Sequence, residues 1–152
     1  MMAKGKVTVL MGGDLHVQRA EPESIFAHMG DELRQADIRF GNLEMMLTDI
    51  RKPLAGRDVA TLVSDERMLA AYTHAGFDAV GLANNHSMDQ GIEGLLRCIE
   101  LLDGAGIIHT GGGSNLAEAR RPAIVERNGV RVAFLSYTSV FHPSYPATDQ
   151  RG

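Results

Sequence analysis

Tryptophan is absent from this 152-residue chain, and aromatic residues make up only 5% of it. That scarcity excludes an aromatic stacking platform for single-stranded nucleic acid. The chain also has no basic run and carries a net charge of −4, so bulk electrostatics do not recruit a polyanion and no nucleic-acid partner is expected. The one cysteine, Cys98, cannot form an internal disulfide. It falls among Ile92, Leu95, Leu96, Ile99 and Leu102, where a small buried thiol is common and no histidine is near to activate it. Long apolar runs are missing too. The stretch Val7 to Met11 behind the N-terminal lysines is too short for a signal-peptide core or a membrane span. No membrane segment and a cytoplasmic location are therefore expected. With 44% hydrophobic and 22% charged residues the composition is globular, and residues 1–152 read as one domain without repeat, linker or low-complexity tract.

Apolar runs alternate with helical patterns along the chain. Lys6 to Met11 reads as a buried strand closed by Gly12-Gly13, and Pro22 to Ala36 as a helix with Ile25, Phe26, Met29 and Leu33 on one face. Asp37 to Phe40 is a second strand; Met45 to Val63, with Pro53 and Gly56, reads as mostly loop. A helix over Asp65 to Ala75 stops at Gly76, followed by a strand over Phe77 to Leu82. The clearest helix is Gln90 to Asp103, then a short strand Ile107 to Thr110. Asn115 and Glu118 have capping-box spacing. Asn128-Gly129 between two apolar runs is a hairpin signal, and the last sixteen residues look irregular. The fold class is α/β: a layered, mainly parallel sheet flanked by helices.

Chemistry-bearing residues gather where these strands end, which is where open α/β sheets place ligands. Gly13-Asp14-Leu15-His16 follows the first strand, and residues two apart on extended backbone face the same side. A carboxylate with an imidazole suits Mn²⁺, Fe²⁺ or Zn²⁺, although Asp after Gly also serves local turns. Glu44 ends the second strand behind Gly41-Asn42, either as a ligand or as a solvated loop carboxylate. The third strand runs into Asn84-Asn85-His86-Ser87-Met88-Asp89, the densest cluster, suited to ligating a metal or moving a proton. Asp89 reads in two ways, as a carboxylate behind His86 or as a helix-start residue; the second is favoured, with Ser87 and Gln90 at capping-box spacing. Gly111-Gly112-Gly113 fits neither a P-loop nor a dinucleotide fingerprint and reads as a turn. His28, His74 and His109 read as structural, and nothing around His142 assigns it a role.

Four blocks, Gly13-Asp14, Ala36 to Glu44, Leu82 to Gly91 and Gly111 to Pro122, occur in this order in the CapA (PgsA-type) family. The chain resembles these bacterial capsule-synthesis proteins, linked to poly-γ-glutamate, over nearly its whole length. The family is itself similar in fold to the calcineurin-like metallophosphoesterases. The resemblance implies that Asp14 and His16 match the Asp-x-His metal ligands and that Glu44 stands where those enzymes have a bridging Asp. It further implies Asn85 as a metal ligand and His86 as the catalytic group at the scissile phosphate, with Asn84 and Asp89 supporting or structural. One or two divalent ions (Mn, Fe or Zn) are the implied cofactor, and a phosphoester or polymer precursor the implied substrate. Other capsule-synthesis proteins are the implied partners.

The chain departs from the family pattern after His86, where no Gly-His-x-His-like motif appears before Gly152. The resemblance therefore implies the N-terminal portion of a longer fold, lacking its C-terminal half and binding metal weakly. Two functions stay open. One is metal-dependent phosphoester hydrolysis in capsule or poly-γ-glutamate synthesis; the other is a non-catalytic scaffold subunit that keeps the fold. Phosphoester assays on a metal-loaded chain separate them.

Overall fold

A computed structural model describes residues 5–53, 61–140 and 146–150. Its centre is a four-stranded parallel sheet in the order β1 (Val9–Asp14), β2 (Ile38–Asn42), β5 (Ala79–Gly81), β6 (Ile108–Thr110). Helices α1 (Gly30–Gln35), α2 (Leu69–Ala75) and α3 (Gly91–Gly104) lie on the connections between successive strands, the arrangement parallel pairing requires. Two-residue strands β3 (Met46–Leu47) and β4 (Val63–Ser64) pair in parallel beside it. A hairpin of β7 (Ala123–Arg127) and β8 (Val130–Phe134) follows the short helix α4 (Leu116–Ala119).

Side-chain alternation divides the core by face. Ile38 and Phe40 on β2 and Ala79 on β5 point one way, onto Ala123, Val125 and Phe134 of the hairpin. Phe40 and Phe134 stack with centroids 4.4 Å apart and planes 5° from parallel. Val80 points the other way, into the larger cluster with Leu33, Tyr72, Phe77, Leu95 and Leu102. Gly41 also faces that side, where a Cβ would stand 2.6 Å from Leu15 Cδ1. The glycine thus lets the chain beyond β1 settle directly onto β2. The buried Cys98 thiol is pushed up to about 12 by desolvation, which agrees with a structural role.

The helices depart from the sequence pattern at their beginnings. Pro22–Met29 is a 3₁₀ helix and only Gly30–Gln35 is α, with the poor helix former Gly30 at the junction. The helix expected from Asp65 likewise starts as a 3₁₀ turn, Glu66–Met68, and ends as expected at Gly76 with φ +74°. Arg97 on α3 ties down that turn through Nη2 to Glu66 Oε2 at 2.6 Å and Nε to Oε1 at 2.8 Å. Its guanidinium holds the Glu66 carboxyl below the usual range.

Strand limits also move. β1 begins later than Lys6 and continues through Gly12-Gly13, because pairing with β2 resumes at Asp14 opposite Asn42 after an irregularity behind Met11. β5 and β6 are three residues each, shorter than their apolar runs. The loop expected between Met45 and Val63 contains β3 and the start of β4; residues 54–60 lie outside the described residues. Asn128 and Gly129 both take positive φ (53° and 76°), the geometry of a tight two-residue hairpin turn. Asn115 Oδ1 caps α4 by accepting from Glu118 N at 3.1 Å. Gly111, at φ +91°, bends the chain after β6, and its N donates to Ala119 O. Among the described residues no helix is long and apolar enough to cross a membrane.

Two outcomes follow from this packing. Phe134→Ala removes the aromatic contact that seats the hairpin, and a loss of roughly 3 kcal/mol is expected by urea denaturation; an unchanged midpoint contradicts the packing. His109, on β6, has its pKa lowered chiefly by burial, opposed by Asp103 and Glu118 and assisted by Arg121. Between pH 6.5 and that lowered value the unfolded chain binds more protons than the folded one, so stability rises with pH across that window and is lost as pH falls through it. His109→Gln should flatten this part of the stability profile, measured by thermal melts at closely spaced pH; an unaltered slope assigns it elsewhere.

Candidate functional site

The C-terminal ends of β1, β2 and β5 bring Asp14, Asn42 and Gly81 into register side by side. The chain leaving each strand carries the polar groups, so the site is a consequence of parallel topology. Asn42 Nδ2 donates to Asp14 Oδ1 at 2.6 Å. Asn84 Nδ2 donates to Asn42 Oδ1 at 3.1 Å and to Leu43 O at 2.9 Å. Asn84 Oδ1 then accepts from His86 N at 2.9 Å, and its backbone oxygen accepts from Ser87 Oγ at 2.7 Å. A continuous line of hydrogen bonds thus joins three strand ends to the His86 turn.

His86 sits at the inner end of that line with its side chain 13% exposed. Its Nδ1 lies 2.9 Å from Asp89 Oδ2, which also accepts from Leu62 N. A carboxylate accepts and cannot donate when ionised, so this contact sets the Nδ1–H tautomer and directs the Nε2 lone pair of the neutral ring away from Asp89. Asp89 itself is fully buried. Such a charge is tolerable only with partners, and the imidazole and the Leu62 N–H serve as two.

This corrects the helix-start role expected for Asp89. Gln90 is the N-cap of α3 and makes no side-chain cap, and the Ser87–Gln90 capping box does not form. Ser87 turns back to Asn84, and Gln90 Oε1 accepts from Lys52 N at 2.8 Å. The carboxylate is drawn off the helix because the neighbouring loop brings the Leu62 N–H to it.

The other expected ligands meet only in part. His16 Nδ1 and Glu44 Oε2 stand 3.7 Å apart at side-chain exposures of 47% and 21%. Two ligand atoms on one cation, with bonds of about 2.1 Å at a tetrahedral angle, lie about 3.4 Å apart. At 3.7 Å the carboxylate–imidazole contact is longer than a tight hydrogen bond, an ion pair when the imidazole is protonated, and its spacing also leaves room for a cation between the two groups. Asp14 is exposed at the end of β1, and Asn85 is half-buried in the turn before His86. Among the described residues, no three His, Cys, Asp or Glu side chains are grouped so as to hold a metal ion. The donor chemistry fits a cation; the set gathered around one point does not complete it. His142 lies outside the described residues. His28 and His74 are apart from the cluster, His74 Nδ1 lying 3.9 Å from Glu23 Oε2.

Sequence reasoning missed Asn42, the residue that connects Asp14 to Asn84. The signal was present: Asn42 precedes Glu44 by two residues and ends its strand. Leu62, which contributes a backbone N–H, carried no signal at all.

The chain matches the family described as "Bacterial capsule synthesis protein PGA_cap" over residues 3–152. An uncharacterized protein of Sinorhizobium fredii is 37% identical over 152 residues, covering 95% of this chain and 33% of that protein. The capsule biosynthesis protein CapA of Bacillus anthracis is 30% identical over 156 residues, covering 96% of this chain and 38% of its own length. The PGA biosynthesis protein CapA of Bacillus subtilis is 25% identical over 126 residues, covering 82% and 33%. The chain therefore spans about a third of the length of these curated relatives.

Asn42→Ala should destabilise the chain by about 1–3 kcal/mol, because it removes two side-chain bonds and leaves Asn84 with one donor unmatched. Chemical denaturation reads this directly. A loss under a few tenths of a kcal/mol contradicts the bridging role.

Proposed function

The chain belongs to the bacterial capsule synthesis family PGA_cap, and on that premise we propose that its strand-end cluster is one wall of a divalent-metal phosphoester site used in making a capsule polymer. The Bacillus relatives are described by their names as proteins of capsule and PGA biosynthesis, which makes a poly-γ-glutamate precursor the substrate class favoured here. Other capsule-synthesis proteins are the partners this reading calls for. The observation that carries it is the His86–Asp89 pair, a buried carboxylate behind an imidazole, tied by Asn84 and Asn42 to Asp14 across three strands.

Asp14, His16, Glu44 and Asn85 are the residues that would hold the metal. A bound divalent ion supplies charge to stabilise phosphoryl oxygens and lowers the pKa of water to near 7. The protein's own part is proton handling and orientation. Asp89 fixes the ring of His86, and His86 in its protonated form gives the Nε2 proton to the departing oxygen. Asn84 holds the His86 backbone, so the ring's distance from the β1 and β2 ends is set by the sheet and not by a free loop.

A second reading, a scaffold subunit that keeps the fold without turnover, is favoured by the absence of a three-ligand group among the described residues. Hydrolysis of p-nitrophenyl phosphate in Mn²⁺ separates the two. The enzyme reading expects a rate that His86→Ala lowers by about 10²–10⁴-fold and that Asp89→Asn lowers while displacing the alkaline limb of the pH profile, where the general acid loses its proton. A rate indifferent to both substitutions, or no metal-dependent rate, supports the scaffold.

A further inference from the structure

Beside the strand-end cluster lies a cavity of about 270 Å³ that none of the roles above uses. Its walls are largely apolar, formed by Met88 and Leu95 from one side and by Leu116, Ala119 and Pro146 from the other. The polar groups at its back are already engaged. Asn84 and Ser87 belong to the hydrogen-bonded line, and Ser136 Oγ accepts from Ala83 N at 3.2 Å. Gly111, at φ +91°, closes the corner, where a Cβ would stand 2.7 Å from Ala83 N and 2.9 Å from Ser136 Cβ. The cavity's shape is therefore built into close-packed backbone.

Arg120 is the only charged side chain among the lining residues described. Its neighbours' charges are spent elsewhere: Glu118 Oε2 accepts from both Ser114 N and Ser114 Oγ, at 2.7 and 2.6 Å. A guanidinium offers five donors and no acceptor. An apolar cavity with one cationic donor group at its rim is complementary to an apolar body ending in an anion, and it disfavours a cation.

We propose that this cavity binds a small organic anion, with its aliphatic part against Met88, Leu95 and Leu116 and its anionic head on Arg120. Asn84 lines the cavity and also holds the His86 turn, so the cavity adjoins the strand-end cluster. The inference rests on the proposed function only in making this anion the non-reacting part of the substrate; the binding itself is independent of it.

The test is a titration of the ¹⁵N-labelled chain with hexanoate, followed by amide shifts, with hexylammonium and acetate as controls. Hexanoate should move the Leu116, Ala119, Arg120, Tyr137 and Thr138 resonances, and acetate should bind at least tenfold more weakly for want of its apolar chain. Arg120→Gln should weaken hexanoate about tenfold. Arg121→Gln, in a separate cavity beside His109, should not. Absent shifts at these residues, or hexylammonium binding as tightly as hexanoate, overturn the assignment. Hexanoate binding by a chain without metal-dependent hydrolysis supports the cavity and overturns the phosphoester reading instead.

Discussion

The side-chain amide of Asn84 is the constraint on which the site depends. It donates to Asn42 and to the Leu43 carbonyl and accepts from the His86 N–H, so one buried group meets β2 and the turn beyond β5. An amide is suited to this because it donates and accepts at once and carries no charge to desolvate. Leucine has a similar branched shape but leaves the Leu43 carbonyl, the Asn42 Oδ1 and the His86 N–H without these partners, at about 1–3 kcal/mol each. Parallel pairing of β1, β2 and β5 creates the crevice; Asn84 decides how the His86 turn lies within it.

Around that amide the site is graded in exposure. Asp89 is fully buried, His86 nearly so, Glu44 partly exposed and His16 about half exposed. The gradient places the His86–Asp89 pair where the dielectric is low and its hydrogen bond is strong, and leaves His16 and Glu44 nearer the solvent. The cavity at Arg120 is lined by Asn84 as well. The strand-end cluster and the apolar cavity thus share one structural residue.

Much of this was legible in the sequence because strand ends leave a sharp signature: an apolar run broken by polar residues. Asp14, His16, Glu44 and the Asn84 to Asp89 block all fell at strand ends, and the parallel α/β layering followed from the alternation of elements. Asp89 was misread because a carboxylate just before a helix has the same sequence appearance whether it caps the helix or braces a histidine. The contacts of Asp89 with His86 Nδ1 and with the distant Leu62 N–H, brought in by the chain before β4, decide between them. The 3₁₀ starts of two helices were equally invisible, since periodicity reports the buried face and not the winding of the first turn. Asn42 was passed over because an amide beside a carboxylate looks like local turn chemistry until the register sets it opposite Asp14.

We propose that the ends of β1 and β2 form a cation site whose position the sheet dictates. Calorimetric titration of the purified chain with Mn²⁺, alongside Asp14→Asn, tests it most directly. Saturable binding that Asp14→Asn abolishes without unfolding the chain is the predicted result. A folded chain that binds no Mn²⁺, or one whose binding is indifferent to Asp14, contradicts the claim and leaves the cluster as hydrogen-bonded structure alone.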